Sequence, residues 1–361
     1  MSGRRHHYIP QALLRGFGRP TGKRWNVWLY RQGTEGPVNT NTKNVGVALD
    51  FYTKEGDAKI DVEQTKLEDQ YGKVLALLRK EGAEALSGPQ LLVLKRFVAN
   101  CFFRTARIRT ILGATGIGVK TFLQKLSGDA SLFENGLRHS LQDEDRLLED
   151  LKTEVHKRDP TISEELLRKM LRERLRTINK DLANHAEALT SRLTQDFQKV
   201  AREFRFDPAS LHLAAIERSG LEPQSRIEQL ESQPFGVAAV QDSLALGDVV
   251  AIGVTRDGRL VDPLFPVDEL LGWLMPLTSN LLAHSGPPEF LKAIDFDLIN
   301  QASVELSNDF FVAQDQVPEL TNAIPSIGKA ETVVDKIDWN GIYEELARSV
   351  EDGTFRSERR T

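Results

Sequence analysis

HHYIPQALLRGF, residues 6–17, is the stretch from which the fold is worked out. Pro10 suits the first position of a helix, because its φ is already helical and its missing N–H is not needed there. Four residues would form the apolar side of that helix: Ala12, Leu13, Leu14 and Phe17. Gly16 or Gly18 would end it. The stretch therefore predicts an extended segment that enters a short amphipathic helix.

Further extended segments are expected after this opening stretch and again late in the chain. WNVWLYR, residues 25–31, alternates and is rich in aromatic and β-branched side chains, which is typical of a strand. VGVALDFYT, residues 45–53, is expected to be a second short extended segment. Residues 234–254 contain short β-like runs separated by turns, and DFFVA, residues 309–313, is also expected to be extended. We expect the N-terminal and C-terminal segments to share one sheet.

The segments between are helical in pattern. Helices are expected from about Val62 to Leu78, and from the end of Gly88-Pro89 to about Leu112. Residues 134–206 are dense in Leu, Glu, Lys and Arg, with a break at Asp159-Pro160, and the piece from Ser163 to Phe204 is one helix or a bent pair. A short helix is expected near residues 338–348, and the last residues, GTFRSERRT, are expected to fray.

These patterns predict an α+β protein that is mainly helical, with a small mixed sheet formed by the N-terminal and C-terminal segments and a long helical insertion. Residues 1–133 would form the N-terminal α+β part and residues 134–207 the helical insertion. Residues 208–313 would complete the same domain, and residues 314–361 would be a polar extension.

Composition places the chain among ordinary globular proteins. It has 361 residues, of which 40% are hydrophobic and 27% charged. No run approaches the roughly 20 apolar residues of a membrane-spanning helix, and MSGRRHHYIPQ lacks the apolar core of a secretory signal. A single cysteine, Cys101, excludes an internal disulfide and a cysteine-based zinc site. A cytoplasmic protein without membrane partners is expected.

The net charge of −5 conceals two basic stretches without any Asp or Glu, residues 1–34 and 85–128. Each carries +7, which leaves −19 for the rest of the chain. Such stretches favour a local electropositive surface. The alternative is that their cations pair with the acidic remainder in the folded chain.

The adjacent histidines His6 and His7 are the most specific chemical feature. Imidazole is the usual general base near neutral pH and a common metal ligand. In an extended segment neighbouring side chains point to opposite faces, so only one of the two would face a given site. The alternative, a tag remnant or a solvated tail, fits poorly with a pair that runs directly into an amphipathic helix.

The opening HHYIPQALLRGF resembles the N-terminal signature HHYxPQxxLRxF of an uncharacterised bacterial domain-of-unknown-function family. The resemblance continues through WNVWLYR and KNVGVALDFYT, through Glu63 and Glu68, and through Phe102-Phe103-Arg104-Thr105. It covers most of residues 4–313 and is weak in the helical middle. Near residue 242 the chain lacks the family's Asn-Pro, which puts any role of Asp242 in doubt. The resemblance implies kinship and no particular reaction.

Carboxylates are the natural partners of the histidines, and Asp50, Asp61, Glu63 and Glu68 follow in the chain. We predict Glu63, which the resemblance marks, as the partner of His6 and His7 in catalysis. A His7–Glu63 arrangement would suit Mg²⁺, Mn²⁺ or Zn²⁺, or equally a metal-free acid–base pair. The alternative is that Glu63 is an ordinary surface residue of a helix.

Arginines of the second basic stretch lie on an otherwise apolar helix. A buried guanidinium must reach a partner, either a carboxylate of the fold or the phosphate or carboxylate of a ligand. Arg104 is the best candidate for ligand binding. The wider predicted ligand-binding set is Arg104, Arg107, Arg15, Tyr8 and Asn44.

GATGIGVKT, residues 113–121, imitates a phosphate loop and a dinucleotide fingerprint. Val119 separates Gly118 from Lys120 and also stands where the last glycine of the fingerprint belongs. No clear strand precedes the segment, as both motifs require. The expected structure is a helix end or an interhelical turn.

Two functions follow from these patterns. The first is a nuclease-like, phosphodiester-directed enzyme, with a histidine as base or metal ligand, Glu63 as ligand or orienter and Arg104 as phosphate clamp. The second is a non-catalytic protein that recognises nucleic acid or a nucleotide through the basic stretches, with Trp25, Trp28 and Tyr30 between the cations. Its helical middle would bind a protein partner, and a bacterial defence or toxin system would be a suitable context.

Overall fold

The computed structural model describes residues 4–53, 59–142, 149, 152–153, 155, 157, 163–241, 243–265, 269–287 and 296–352. By its internal contacts the chain divides into two compact units. The first is Met1–Ala114 with Asp207–Lys336, and the second is Thr115–Phe206 with Ile337–Thr361.

The strands belong to the first unit. They are β1 Arg5–His7, β2 Arg19–Thr21, β3 Arg24–Arg31, β4 Val38–Asn41, β5 Val47–Leu49, β6 Phe235–Ala239, β7 Leu246–Gly247, β8 Ile252–Thr255, β9 Leu260–Val261, β10 Leu270–Thr278, β11 Leu281–Ser285 and β12 Phe310–Ala313. Their described pairings are antiparallel.

The strands form three sheets in the described residues. β1 pairs with β5, and the other two sheets have the orders β6-β11-β10-β8-β9 and β2-β3-β12-β7, with β4 beside β3. The last of these joins N-terminal and C-terminal segments, as expected, through pairs such as Trp28 with Ala313. The expected small mixed sheet is thus replaced by several antiparallel ones, because short connections such as the β10–β11 turn favour antiparallel neighbours.

The helices lie between groups of these strands and also form the second unit. They are α1 Gln11–Leu14, α2 Lys59–Glu81, α3 Gly88–Arg104, α4 Ala106–Gly128, α5 Ala130–Gln142, α6 Glu164–Glu203, α7 Pro208–Ser219, α8 Gln224–Glu231, α9 Phe296–Leu306, α10 Pro318–Ala323 and α11 Trp339–Glu351. The mainly helical α+β class is confirmed. The described helices include none that is both long and apolar enough to span a membrane.

Local sequence signals explain where several helices begin. Ser87 and Gln90 form a capping box at the start of α3, where the Ser87 N–H donates to Gln90 Oε1 at 2.7 Å. Asp207 and Asp338 cap α7 and α11 by accepting N–H groups in their first turns. These caps satisfy N–H groups that would otherwise lack a partner at a helix start.

The core of the first unit lies between the opening segment and the C-terminal strands. Leu13, Leu14 and Phe17 are fully buried, as predicted, and so is Ile9, whereas Ala12 of the predicted apolar side is half-buried. Each of the fully buried side chains stabilises the fold by roughly 1.5–3 kcal/mol. Gly16 lies so close to β10 that a β-carbon there would overlap the carbonyl oxygen of Leu277. The opening stretch is therefore fixed against the longest strand of the fold.

The second unit is built from helices. Phe133 of α5 packs on Phe197 of α6 with ring centroids 5.0 Å apart. Tyr343 of α11 donates its hydroxyl hydrogen to Asp129. The piece expected from Ser163 to Phe204 as one helix or a bent pair is the single helix α6.

The expectation of a helix end or turn at residues 113–121 is wrong. These residues lie inside α4, which runs from Ala106 to Gly128. A β-carbon on Gly116 would overlap the ring of Phe206, and one on Gly118 would overlap the indole of Trp339. The glycines therefore serve close helix packing, and the propensity penalty of roughly 1 kcal/mol each is outweighed by this tertiary contact.

Two other expectations on helices change. The helix expected to reach about Leu112 ends at Arg104, and a new helix begins at Ala106 because Thr105 adopts an extended conformation. The break at Asp159-Pro160, the residue Asp242 and the C-terminal GTFRSERRT lie outside the described residues.

Candidate functional site

Two groups of polar residues in the first unit are candidates for a site. The first surrounds the adjacent histidines and is called here the His6 cluster, which consists of His6, His7, Tyr52, Asp61, Glu68 and Arg104. β1 holds the histidines through its pairing with β5, where His6 faces Ala48. His6 is buried and His7 half-buried, as the alternation of a strand predicts.

His6 accepts a hydrogen bond at Nδ1, and its Nε2 lies near a carboxylate. The Tyr52 N–H donates to His6 Nδ1 at 2.9 Å, and the Tyr52 ring stacks on the imidazole with centroids 5.8 Å apart. His6 Nε2 lies 3.7 Å from Asp61 Oδ1, which is beyond a direct hydrogen bond and within reach of a bridging water. This is the geometry of an oriented imidazole beside a carboxylate.

Arg104 joins the other half of the cluster. Its Nη2 donates to Glu68 Oε1 at 2.6 Å and also to the carbonyl oxygen of His7. The guanidinium is 1% exposed, so Glu68 neutralises a charge that water does not reach. Burial lowers the pKa of His7, and the nearby Glu68 carboxylate opposes that effect.

Four nitrogen atoms of the cluster are enclosed without a hydrogen-bond partner among the described residues. They are His6 Nε2, His7 Nδ1, Arg104 Nε and Arg104 Nη1. Buried polar atoms usually find a protein partner or an ordered water. Among the described residues, no group of three or more His, Cys, Asp or Glu side chains is arranged to hold a metal ion.

Helix α2 decides which carboxylates reach the histidines. Two residues along a helix correspond to about 200° of rotation and seven to about 700°, nearly two full turns. Asp61 and Glu68 therefore share the inner face, and Glu63 lies on the other side, where it is exposed. The partner predicted from the sequence was Glu63, and the structure brings Asp61 and Glu68 to the histidines.

The other predicted ligand-binding residues have partners within the fold. Arg107 is buried and donates from Nε to Asp262 Oδ2 at 2.9 Å and from Nη1 to Asn308 at 2.8 Å. Tyr8 packs on Phe51 with centroids 5.3 Å apart, and burial raises its pKa. Asn44 is exposed and accepts a hydrogen bond from Arg5 at 3.4 Å.

Part of the charge of the two basic stretches is neutralised within the fold. Five of their arginines form ion pairs: Arg4–Asp50, Arg19–Asp315, Arg31–Asp309, Arg104–Glu68 and Arg107–Asp262. Exposed ion pairs contribute little to the free energy of unfolding, roughly 0–1 kcal/mol each. Three of these pairs, those of Arg4, Arg19 and Arg31, are exposed. The five pairs do reduce the local electropositive surface that the sequence suggested.

Arg15 differs from these arginines and belongs to the second candidate site, called here the arginine pocket. This cavity of about 670 Å³ is lined by the turn after α1, the β2–β3 hairpin, the end of α2, the β10–β11 turn and the residues after β12. Its cationic lining residues are Arg15 and Arg79. Among the described lining residues the one carboxylate is that of Asp315, which is already paired with Arg19 at 2.5 Å.

Neither arginine of the pocket contacts a carboxylate of the described residues. Arg15 donates to the Gln11 side-chain oxygen at 2.9 Å, and Arg79 donates to the carbonyl oxygen of Ala12 at 2.8 Å. The Arg79 guanidinium also lies 5.6 Å from the centroid of the Trp25 ring. Burial, and then the nearby charge of Arg15, lower the pKa of Arg79.

Hydroxyl and amide side chains complete the pocket opposite the arginines. Ser279 donates to Gln314 Oε1 at 2.5 Å, and Thr278 donates to Asn280 Oδ1 at 2.8 Å. The Ser279 N–H donates to the carbonyl oxygen of Gly16, so the β10–β11 turn is anchored to the opening stretch. The pocket thus combines two cations, an indole and a row of amides.

Sequence reasoning found Arg15 and Trp25 and missed Arg79, Asn280 and Gln314. Arg79 lies in LLRKEG, residues 77–82, which looks like an ordinary charged helix end. The one available signal was the apolar spacing of α2, which places Leu75 and Leu78 in the core and leaves Arg79 at its border.

A family model described as "Protein of unknown function (DUF4238)" matches residues 5–217 of the chain. The search of curated proteins gave no match, and neither did the search of solved structures. The matched range contains the HHYIPQ stretch, whereas the resemblance expected over residues 218–313 lies outside it and stays a prediction.

Proposed function

The chain belongs to the family described as "Protein of unknown function (DUF4238)", and we propose that it is a recognition protein that binds a mononucleotide in the arginine pocket. The observation that carries this proposal is the pair Arg15 and Arg79, two half-buried guanidinium groups without a carboxylate partner in the described residues.

An anion is the ligand that this pair fits. Two like charges withdrawn from water raise each other's energy. In the described residues that cost is offset by neutral oxygen atoms of Gln11 and Ala12 and by the Trp25 ring, and by no carboxylate. A phosphate between them would receive charge-assisted hydrogen bonds from two planar guanidinium groups. The ligand would therefore supply the negative charge that the fold withholds.

A mononucleotide fits the rest of the pocket better than a bare phosphate does. The volume of about 670 Å³ lies within the roughly 300–1,000 Å³ of small-molecule sites. Trp25 supplies a ring face of the kind on which nucleobases stack, and the amides supply polar contacts.

A mononucleotide is also favoured over a nucleic-acid strand. Binding along a strand needs a continuous row of uncompensated cations that track the phosphates. Five arginines of the basic stretches are instead paired with carboxylates. Arg15 and Arg79 instead lie together at one cavity.

Isothermal titration calorimetry of the full chain tests the proposal, with inorganic phosphate and the monophosphates of adenosine, inosine, uridine and cytidine as probes. We expect binding of at least one nucleotide, and Arg79→Gln should weaken it by about tenfold or more, since a hydrogen bond to a charged group contributes about 1.5–3 kcal/mol.

Arg24→Gln is the matched control, because Arg24 is an exposed cation of the β2–β3 hairpin, which carries Trp25, and Arg24 itself does not line the pocket. The control should bind as the wild type does. If neither phosphate nor any nucleotide binds, or if both variants weaken binding equally, the proposed function is wrong.

The His6 cluster favours a second candidate function, phosphodiester hydrolysis. Its four enclosed nitrogen atoms lack hydrogen-bond partners in the part of the chain that the structure describes, and His6 lies beside a carboxylate as a general base does. In this proposal Asp61 and Glu68 take the place of Glu63, which lies exposed on the outer side of α2. A divalent metal such as Mg²⁺, Mn²⁺ or Zn²⁺ remains part of the proposal. The enclosure of those nitrogen atoms makes it the weaker candidate, because a substrate must reach the base.

Cleavage of RNA or DNA that a chelator abolishes, and that is lost in His6→Ala and Asp61→Ala, would support hydrolysis. The metal content of the purified protein gives an independent measurement. Full activity in both variants would place the chemistry elsewhere, and no cleavage by the wild type would exclude nuclease function on these substrates.

A further inference from the structure

We infer that the arginine pocket prefers a nucleotide whose base carries a carbonyl oxygen over the matched nucleotide whose base carries an amino group at that position. The inference rests on the proposed function and concerns the amide side of the pocket. Its argument is the orientation of two carboxamides, Gln314 and Asn280.

The orientation of Gln314 follows from a distance. Ser279 Oγ and Gln314 Oε1 are 2.5 Å apart. That separation lies within the roughly 2.5–3.0 Å of an O–H···O bond and below the roughly 2.7–3.2 Å of an N–H···O bond. The amide oxygen therefore faces the serine hydroxyl, and the amide nitrogen is the atom left for another partner.

The orientation of Asn280 follows from the hydrogen-bond pattern of Thr278. Thr278 Oγ1 accepts the backbone N–H of Asn280 at 3.2 Å, and its own hydrogen is donated to Asn280 Oδ1 at 2.8 Å. The hydroxyl is thereby used as acceptor and donor at once. Asn280 Nδ2, like Gln314 Nε2, has no hydrogen-bond partner in the described residues.

Two amide N–H₂ groups thus remain as donors on residues that line the cavity. Donors of this kind pair with carbonyl oxygens and oppose an exocyclic amino group, which is itself a donor. Stacking on Trp25 accepts any base, because every base has a π-face. The choice between bases therefore falls to the amides.

Inosine and adenosine monophosphate are the matched probes, since position 6 of the purine carries a carbonyl oxygen in the first and an amino group in the second. Calorimetric titration of the full chain should give inosine monophosphate the tighter binding by about tenfold, the value of one hydrogen bond together with one avoided donor–donor contact. Uridine and cytidine monophosphate should show the same order.

Gln314→Met removes the donor and keeps the length of the side chain, so the preference should fall to about twofold or less with little change in adenosine monophosphate affinity. Gln241→Met is the control, because Gln241 lines the same pocket without a hydroxyl partner that orients its amide. It should keep the preference, and thermal unfolding should show that both variants fold.

Equal binding of inosine and adenosine monophosphate would overturn the inference and leave the proposed function standing. So would tighter binding of adenosine monophosphate, or a preference that survives Gln314→Met together with Asn280→Ala. Failure of every nucleotide and of inorganic phosphate to bind would instead overturn the proposed function, so the two failures are distinguishable.

Discussion

The His6 cluster and the arginine pocket use the same side chain in opposite ways. In the cluster, Arg104 is almost fully enclosed and is neutralised by Glu68 at 2.6 Å. In the pocket, Arg79 is half-buried, faces the charge of Arg15 and contacts no carboxylate of the described residues. A compensated cation holds a fold together, and an uncompensated cation beside a cavity is available to a ligand.

The two regions also differ in how they are assembled. The cluster is built from β1, β5, α2 and α3, which all precede residue 105. The pocket combines Arg15 with residues as distant as Gln314 and Asp315. Four measurements can break or sharpen this contrast.

Glu68→Ala should have the largest effect. It leaves the Arg104 guanidinium enclosed without its carboxylate, and breaking a buried pair in this way costs about 3–5 kcal/mol. We expect urea unfolding to show a loss in the lower part of that range, since Glu68 is itself partly exposed.

Glu63→Ala on the outer side of the same helix is the control and should change the free energy of unfolding by less than about 0.5 kcal/mol. If the two variants lose the same stability, Arg104 is not held by Glu68, and the contrast with Arg79 disappears.

Gly16→Ala should have the next largest effect, because its β-carbon would overlap the carbonyl oxygen of Leu277. Forcing extra volume into a packed site costs roughly 1–3 kcal/mol. Gly36→Ala meets no atom within 4 Å and serves as the control. A stable Gly16→Ala variant with unchanged nucleotide affinity would show that the wall of the pocket is not fixed against β10.

Arg79→Met should change the free energy of unfolding only slightly, and any change should stabilise the fold. It removes one hydrogen bond to Ala12 and also removes a desolvated charge beside Arg15. The free energy of unfolding should stay within about 0.5 kcal/mol of the wild type or rise. A loss of more than about 2 kcal/mol, well outside that range, would mean that Arg79 stabilises the fold as Arg104 does.

His7→Gln should change how stability depends on pH. Burial lowers the pKa of His7 below its ordinary 6.5, with smaller effects of Glu68, Arg104 and Arg5. As the pH falls below about 6.5, the unfolded chain therefore takes up a proton before the folded chain does, and the free energy of unfolding decreases as the pH decreases. The fall stops only below the lowered pKa.

The buried His212, whose pKa burial lowers to about 4, contributes to the same fall, so the measurement is the difference between His7→Gln and the wild type. Urea unfolding from pH 7.5 to 4.5 should give a shallower slope for the variant. Equal slopes would show that His7 titrates as it does in water.

Much of the fold was predictable because it follows from local rules. The apolar spacing of residues 9–17 predicted the buried face of α1, and the alternation in residues 25–31 predicted β3. Membership of an uncharacterised family is confirmed. The interior of α4 was misjudged because the contacts of Gly116 and Gly118 with aromatic rings are tertiary.

The site was less predictable. The sequence singled out the histidines, Arg104 and Arg15, and gave no means of separating a neutralised arginine from an uncompensated one. Glu63 was predicted as the partner of the histidines in preference to Asp61 and Glu68. The rotation of about 100° per residue along α2 places Glu63 on the outer side of the helix.

The sequence by itself determined the class of fold, because this depends on composition and on periods of two and 3.6 residues. It also determined the family, through the resemblance of the opening stretch to the family's signature. Tertiary structure alone decided which charges cancel. Coulomb energies depend on distances and on the exclusion of water, and both are set by contacts such as those of Arg104 with Glu68 and of Ser279 with Gly16.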